Sequence, residues 1–229
     1  MALPVYQMHL IHRKPIAEDM FELRFTKPKD FDFIAGQFIQ LQIPEGEGFT
    51  LRSYSLSSTP DDAYIELCVK ILPDGKASAH FLKMAEGSLL TFQGPLGKFT
   101  CSDKADGRYF VATGAGLAPI MGMIRDELPK NGTEIHLLFG VRGEDDMFWM
   151  DRLEELKKKY EFFSYQVTLS QPKPNGGWAG LRGRVTEHLL HHLITHQYYL
   201  CGSAPMVKDV RAQLLENGIP SGQIHFEIF

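Results

Sequence analysis

Tyr109-Phe110-Val111-Ala112-Thr113-Gly114-Ala115-Gly116-Leu117-Ala118-Pro119 carries an unbroken apolar run through two spaced glycines into a helical segment from Ala118 onward. An apolar run without alternation is the pattern of a strand covered on both faces, and a strand feeding a helix is the unit of a parallel sheet. The rhythm repeats downstream. Strand-like 134–141 precedes helix-like 147–159, 163–169 precedes 185–193, and 198–201 precedes 205–217. The part of the chain from 108 to 229 is therefore expected to be an α/β domain with a parallel sheet and a ligand at the carboxyl ends of its strands.

Upstream the period changes. Runs at 5–12, 20–26, 37–43, 52–58, 64–71 and 88–93 are short and alternating, and turn-formers such as Lys27-Pro28, Pro44-Glu45-Gly46, Thr59-Pro60-Asp61 and Pro73-Asp74-Gly75 separate them. Many short strands at close spacing point to an antiparallel barrel or sandwich. A helix over 77–84, with Ala77, Phe81, Leu82 and Met84 mostly on one face, would cover one end. Gly94-Pro95-Leu96-Gly97 and the polar stretch 101–108 separate the two patterns, which sets the expected domains at 1–102 and 108–229.

Composition narrows the class. The 229 residues are 44% hydrophobic and 23% charged, which excludes disorder and collagen, and a net charge of -4 leaves no footprint for nucleic acid. No window approaches a membrane span of ~18 apolar residues, and residues 1–14 lack a signal peptide's basic start and apolar centre, so a cytosolic, cytoplasmic protein is expected. Cys68, Cys101 and Cys201 stand far apart without a CxxC pair, so redox chemistry would need a borrowed cofactor.

Four stretches carry candidate chemistry. In Arg52-Ser53-Tyr54-Ser55, alternation sends Arg52 and Tyr54 to one face and Ser53 and Ser55 to the other. An arginine can grip phosphate, a tyrosine offers a planar face, and a hydroxyl can bond a ring nitrogen, although a half-solvated strand has the same alternation. Gly114-Ala115-Gly116 can present backbone amides to a pyrophosphate at a helix amino terminus, with Pro119 suited to the first turn, or can simply make a tight turn. Cys201-Gly202 ends the last central strand where parallel sheets place ligands, and an inert buried cysteine is the plain alternative. Phe226-Glu227-Ile228-Phe229 sets a carboxylate and an aromatic on one face of an extended segment, as an ordinary edge strand also would.

Taken in order, these stretches resemble the ferredoxin-NADP reductase superfamily. Arg52-Ser53-Tyr54-Ser55 is similar to its R-x-Y-S flavin signature, Gly75-Lys76-Ala77-Ser78 to its G-x-x-S segment at the flavin pyrophosphate, and Thr113 to Pro119 to its T-G-x-G-x-A-P nucleotide loop. Cys201-Gly202 with Pro205-Met206 resembles its C-G-x-x-x-M element, and Glu227-Ile228-Phe229 the carboxy-terminal acid-x-aromatic of plant-type members. The resemblance implies an antiparallel flavin-binding β-barrel followed by an α/β pyridine-nucleotide domain, with no fused iron-sulfur domain.

The resemblance also implies roles. Arg52, Lys76, Ala77 and Ser78 would bind FAD at its phosphates, Tyr54 would lie against the isoalloxazine, and Ser55 would sit near flavin N5. Phe229 would cover the other flavin face, Glu227 would tune proton supply, and Cys201 would flank the nicotinamide. Thr113, Gly114, Gly116, Pro119, Ser170, Gly202, Pro205 and Met206 would hold NAD(P)H. NADP-using members place an arginine directly after the serine that ends the third strand. Here Ser170 is followed by Gln171 and Pro172, and the arginines of Trp178-Ala179-Gly180-Leu181-Arg182-Gly183-Arg184 are as compatible with capping the next helix, so the expectation leans to NADH.

His188 and His192 fall one turn apart, with His191 and His196 nearby, but no carboxylate or cysteine at ligand spacing completes a set, so no metal is expected. The expected function is an FAD-dependent NAD(P)H reductase that passes a hydride to flavin N5 and electrons on to a separate ferredoxin, flavodoxin or oxygenase component. The alternatives are a reductase using free flavin as substrate, and a non-enzymatic redox subunit docking through exposed Phe148, Trp149 and Met150.

Overall fold

The computed structural model describes residues 3–102, 105–190 and 194–229. Its first half comprises strands β1 (Val5–Ala17), β2 (Met20–Thr26), β3 (Phe38–Glu45), β4 (Gly48–Ser55), β5 (Tyr64–Lys70) and β6 (Leu89–Leu96), with helix α1 (Lys76–Lys83) between the last two. Every pairing is antiparallel, in the order β4-β3-β6-β1-β2-β5. Alternation sorts the faces: Ile39, Leu41 and Ile43 of β3, Leu23 and Phe25 of β2, and Ile65, Leu67 and Val69 of β5 are at most 1% exposed. The lone bridge between Leu56 and Leu67, and the bond from Ser57 N–H to the Glu66 carbonyl, bring the two edges together and close the barrel. Helix α1 turns Ala77 and Phe81 inward over one end.

Two strands differ from expectation for visible reasons. The segment expected over 52–58 begins at Gly48, because Glu45 pairs with Gly48 across a two-residue turn in which Gly46 takes φ +58. It stops at Ser55 because the next serines turn to Glu66: Ser57 Oγ donates to its carboxylate at 3.0 Å, and the Glu66 amide donates to Ser58 Oγ at 3.0 Å. Strand β1 runs on to Ala17, five residues past the expected end. Its pairing with β6 covers only Val5 to His9, so the extension has one partner, β2, and Pro15 gives up no ladder bond on its open side.

The second half comprises β7 (Gly107–Thr113), α2 (Leu117–Asn131), β8 (Glu134–Val141), α3 (Met150–Lys159), β9 (Phe163–Leu169), the two-residue β10 (Leu181–Arg182), β11 (Gln197–Gly202), α4 (Ala204–Glu216) and β12 (Ile224–Ile228). All six strands are parallel in the order β10-β9-β8-β7-β11-β12, so the winding reverses at β7. Phe110 and Ala112 of β7 face α2 and α3, whereas Tyr109 and Val111 face α4. Coverage on both faces is what its unbroken apolar run required. Among the described residues no helix is long and apolar enough to cross a membrane.

Two helices are shorter than expected. Trp149 sits at φ +56, a left-handed conformation that keeps 147–149 out of α3. The helix expected over 185–193 reduces to a single 3-10 turn, Val185–Glu187, and 188–190 is irregular; 191–193 lies outside the described residues. Buried Leu189 is drawn into the α4 face, and the Leu190 carbonyl accepts from the Tyr198 hydroxyl at 2.9 Å, so tertiary packing overrides local periodicity.

The halves share a core. Met20, Ala35, Cys68 and Phe99 from the barrel pack in one cluster with Leu117, Ile120, Met121 and Ile124 of α2. Gly122 admits this approach, since a Cβ there would lie 3.0 Å from the Leu56 carbonyl oxygen. A buried charge cluster adds to it. Glu22 (3% exposed) and Glu66 (0%) project from β2 and β5, and Arg152 of α3 donates to Glu66 Oε1 at 2.8 Å and to Glu22 Oε2 at 2.6 Å. Arg24 bonds both carboxylates at 2.9 Å, and the Trp149 indole N–H donates to Glu22 at 2.9 Å. Phe148 and Trp149, expected as exposed docking residues, are instead 2% and 4% exposed.

Candidate functional site

On the barrel, the candidate groups lie at the end of β4 and the start of α1. Arg52 is exposed and donates from Nη1 to Thr50 Oγ1 and to the Leu51 carbonyl, both at 2.8 Å; no carboxylate pairs with it among the described residues. Tyr54 is half-buried, its ring edge-on to Phe81 at 5.3 Å. Burial pushes its phenol up to about 12, against the opposing pull of Arg52. Lys76 is engaged by Glu45, whereas the backbone amides that open α1 have no side-chain cap and no acidic residue in the first turn. Ser78 is buried, and its hydroxyl accepts from the Leu72 amide at 2.9 Å, which leaves its proton available to donate. Gly75 is required for that turn, because a Cβ there would lie 2.7 Å from Ser78 Oγ. An unpaired arginine, an uncapped helix start and a half-buried aromatic form a donor set that fits a phosphate-bearing aromatic cofactor such as FAD.

The parallel sheet supplies a second candidate. A cleft of about 770 Å³ opens at the carboxyl ends of β7, β8, β9 and β11, where a reversal of winding places ligand sites. Thr113, Gly114, Gly116, Ser170, Gly202 and Met206 all line it. Gly114 takes φ +52 with no atom within 4 Å of where a Cβ would stand, and Pro119 lies in the first turn of α2. Gly116 is forced by proximity: a Cβ would stand 2.2 Å from the Cys201 carbonyl oxygen, so the two loops cross at van der Waals range. Gly202 is the reciprocal case, its absent Cβ 2.1 Å from Thr113 Oγ1. A glycine-rich turn leading into α2, which has no side-chain cap and no acidic residue in its first turn, makes a cradle for a dinucleotide's phosphates. Pro205 is exposed in the first turn of α4.

The two candidates meet at the last strand. Ser55 Oγ, buried at the end of β4, donates to Glu227 Oε1 of β12 at 3.0 Å. Burial raises the Glu227 carboxyl above its ordinary value, and the Ser55 bond opposes that rise. Phe229 follows, its amide bonded to the Gly202 carbonyl at 3.0 Å and its ring 52% exposed at the cleft. Cys201 differs from its neighbours: it is fully buried, is not among the cleft's lining residues, and has its thiol pushed well up by burial and then by Glu227.

Several lining residues escaped the sequence reading. Asp19, Met20 and Lys70 reach the cleft from the barrel, with Lys70 and Asp19 paired at 2.9 Å. Arg142 stands one residue beyond β8, a position that the strand-tip rule would have singled out. Arg184 also lines the cleft, and its backbone caps the single 3-10 turn Val185–Glu187, its amide donating to Glu187 Oε1 at 2.7 Å. Neither guanidinium has an ion pair among the described residues. In Trp178 to Arg184, the indole N–H bonds the Leu181 carbonyl at 2.8 Å and the ring covers Gly180, so the W-x-G spacing shapes this loop. His188 bonds the Arg182 carbonyl at 2.7 Å, while His191 and His192 lie outside the described residues.

Comparison with known proteins agrees with this geometry. Residues 7–101 match the oxidoreductase FAD-binding domain family, and residues 110–212 match the oxidoreductase NAD-binding domain family. Ferredoxin–NADP reductase B of Sorangium cellulosum is 32% identical, over 97% of this chain and 96% of that protein. The anthranilate 1,2-dioxygenase electron transfer component of Acinetobacter baylyi is also 32% identical over 88% of this chain, which spans only 59% of that longer relative. Among solved structures, the Amycolatopsis cytochrome P450 reductase GcoB superposes with a TM-score of 0.89 at 27% identity, covering 100% of this chain and 71% of that one.

Proposed function

The chain belongs to the ferredoxin reductase-like family of FAD- and NAD(P)-binding oxidoreductases, and from that premise we propose that it draws reducing equivalents from NADPH or NADH and hands them to a separate one-electron carrier. In this reading 1–102 holds FAD and 108–229 holds the nucleotide. The carrier is a ferredoxin, a flavodoxin or an oxygenase component, as the names of the relatives suggest. The observation that carries the reading is the Ser55–Glu227 hydrogen bond, which joins the tip of the flavin-signature strand to the edge of the nucleotide sheet. FAD bound there supplies the conversion between a two-electron donor and one-electron acceptors.

The chain's own residues have distinct tasks. Arg52 and the first amides of α1 neutralise cofactor phosphate, Ser78 donates its free hydroxyl proton, and Tyr54 gives a flat apolar wall. Gly114 to Gly116 and α2 take the nucleotide's pyrophosphate. Glu227, its carboxyl raised above the ordinary value by burial, stands beside Ser55 at the junction, placed to exchange protons there. The Phe229 ring covers the junction and must move for a nicotinamide to enter. Cys201, enclosed and un-ionised, backs the loop crossing and sets its position.

The arginines support NADPH over the NADH that Ser170-Gln171-Pro172 suggests. Ser170-Gln171 offers no phosphate clamp, but Arg142 and Arg184 flank the same cleft with no carboxylate partner among the described residues, a pairing suited to an extra phosphate and hence to NADPH. Purified protein should remain yellow after desalting and bleach anaerobically with NADPH at least as fast as with NADH. Arg184→Ala should raise the KM for NADPH by roughly 10- to 100-fold, the equivalent of a charge-assisted bond of about 1.5–3 kcal/mol, and leave NADH unaffected. Colour lost on desalting favours the free-flavin alternative. Absence of bleaching by either nucleotide refutes the reductase reading.

A further inference from the structure

We propose that Glu134, His136 and His196 bind a divalent ion of the zinc class at the amino-terminal end of the parallel sheet, opposite the nucleotide cleft. The sheet's register brings them together. Glu134 pairs with Gly107 across β8 and β7, and Gln197 pairs with Arg108 across β11 and β7, so His196 enters β11 level with Gly107. Glu134, Gly107 and His196 thus form one row over three strands, and His136, two residues on, shares the face of Glu134. Gly107 in the middle of the row is the enabling residue. A Cβ there would stand 2.1 Å from His196 Nε2, so the imidazole occupies the notch left by a missing side chain.

The distances suit an ion. His136 Nε2 lies 3.2 Å from Glu134 Oε1, and His196 Nε2 lies 3.7 Å from Glu134 Oε2. The ligand atoms of all three residues fall within 4.8 Å of one another. Two ligands at about 2.0–2.1 Å from a tetrahedral zinc stand about 3.3 Å apart, so small adjustments close the site. The outer shell is also in place. His136 Nδ1 contacts Ser164 Oγ at 2.6 Å, and when the ring donates there its Nε2 lone pair faces a carboxylate with no proton between them, an arrangement that a cation resolves. Gln223 holds the other side, donating to the Ile194 and His196 carbonyls, each at 3.1 Å. Two imidazoles and one carboxylate favour zinc, cobalt, nickel or copper over calcium or magnesium, and leave the fourth position to water. The bound ion would tie the start of β8 to the entry of β11 over β7.

The test uses full-length, tag-free protein with its flavin, stripped with a chelator and titrated with Zn²⁺ by calorimetry and with Co²⁺ by visible spectroscopy at wavelengths beyond the flavin bands. The expected result is one ion per chain, a tetrahedral Co²⁺ spectrum and a raised unfolding temperature. Glu134→Gln, at a 55% exposed side chain that the fold does not need, and His136→Asn should each weaken binding by roughly tenfold or more, and Ser164→Ala by roughly 10- to 100-fold. None of these readouts depends on reductase turnover. Failure to take up one ion per chain, or affinity unchanged in Glu134→Gln and His136→Asn, overturns the proposal.

Discussion

Replacing Arg152 by alanine removes the one cation that α3 contributes to two carboxylates buried in the barrel wall. Its guanidinium makes bonds of 2.8 and 3.0 Å to Glu66 and 2.6 Å to Glu22, and lies 4.8 Å over the Trp149 ring. Breaking a buried ion pair from one side costs about 3–5 kcal/mol, because the remaining charge loses its partner without regaining water. Arg24 still bonds both carboxylates, which places the expected loss near the lower end, about 3 kcal/mol, or roughly 6–12 °C in unfolding temperature. The pH dependence gives a second check. Burial alone would raise the Glu66 carboxyl, but bonds from Arg152 and then Arg24 outweigh it and hold the group below its ordinary value. A carboxylate so depressed contributes stability above its unfolded pKa and loses it as pH falls through the folded value. The deficit of the variant should therefore be full at neutral pH and close on acidification, and Glu66→Gln in the same chain should recover part of it. Urea unfolding of the flavin-loaded protein measures both. A loss below about 1 kcal/mol, typical of a solvated surface pair, or a deficit independent of pH, would refute the argument.

Two further outcomes follow from the site. Gly116→Ala should abolish tight nucleotide binding and destabilise by about 1–3 kcal/mol while keeping flavin, because the new methyl meets the Cys201 backbone at 2.2 Å; wild-type NADP⁺ affinity in a spectral titration would contradict the crossing of the two loops. Ser55→Ala should move the Glu227 titration further upward, since burial raises that carboxyl and the serine bond opposes it. A carboxyl raised in the folded state contributes stability below its unfolded pKa and loses it as pH rises through the folded value, so the variant should lose stability more steeply toward neutral pH. Infrared titration of the carboxyl reads the shift directly, and a downward move would show that the serine bond does not favour the anion.

What could be read from the sequence was whatever a local period or turn residue encodes. Strands 20–26, 134–141 and 163–169 lie where alternation and apolar runs put them, because the pattern along each strand records which of its faces are covered. Over its described part, 185–190, the expected helix gives way because Leu189 and Leu190 answer to a distant sheet face and not to one another. The site was legible where a motif is contiguous, as at Gly114 to Gly116. Glu22 with Arg152, or Glu134 with His196, come from segments far apart in the chain; the first pair meets where α3 packs on the barrel and the second through strand register, and no local window contains either. Arg184 was legible as a cap, and its amide does cap the turn at Val185–Glu187, but its place on the cleft wall depends on tertiary packing that no local window contains.

The core cluster that crosses from Met20, Ala35, Cys68 and Phe99 into α2 has a consequence for recombination. A barrel and a nucleotide-binding half drawn from two relatives would each bring the right motifs and still leave that seam mismatched. Gly122 must meet a short backbone at Leu56, and Gly36 must stay bare, because a Cβ there would stand 2.0 Å from the Phe99 carbonyl and 2.5 Å from Met123 Cε. Chimeras cut between 102 and 108 should therefore work only when the seam residues travel with α2. The unit of inheritance in this chain is the pair of halves, fitted to each other atom by atom, and not the motif-bearing module.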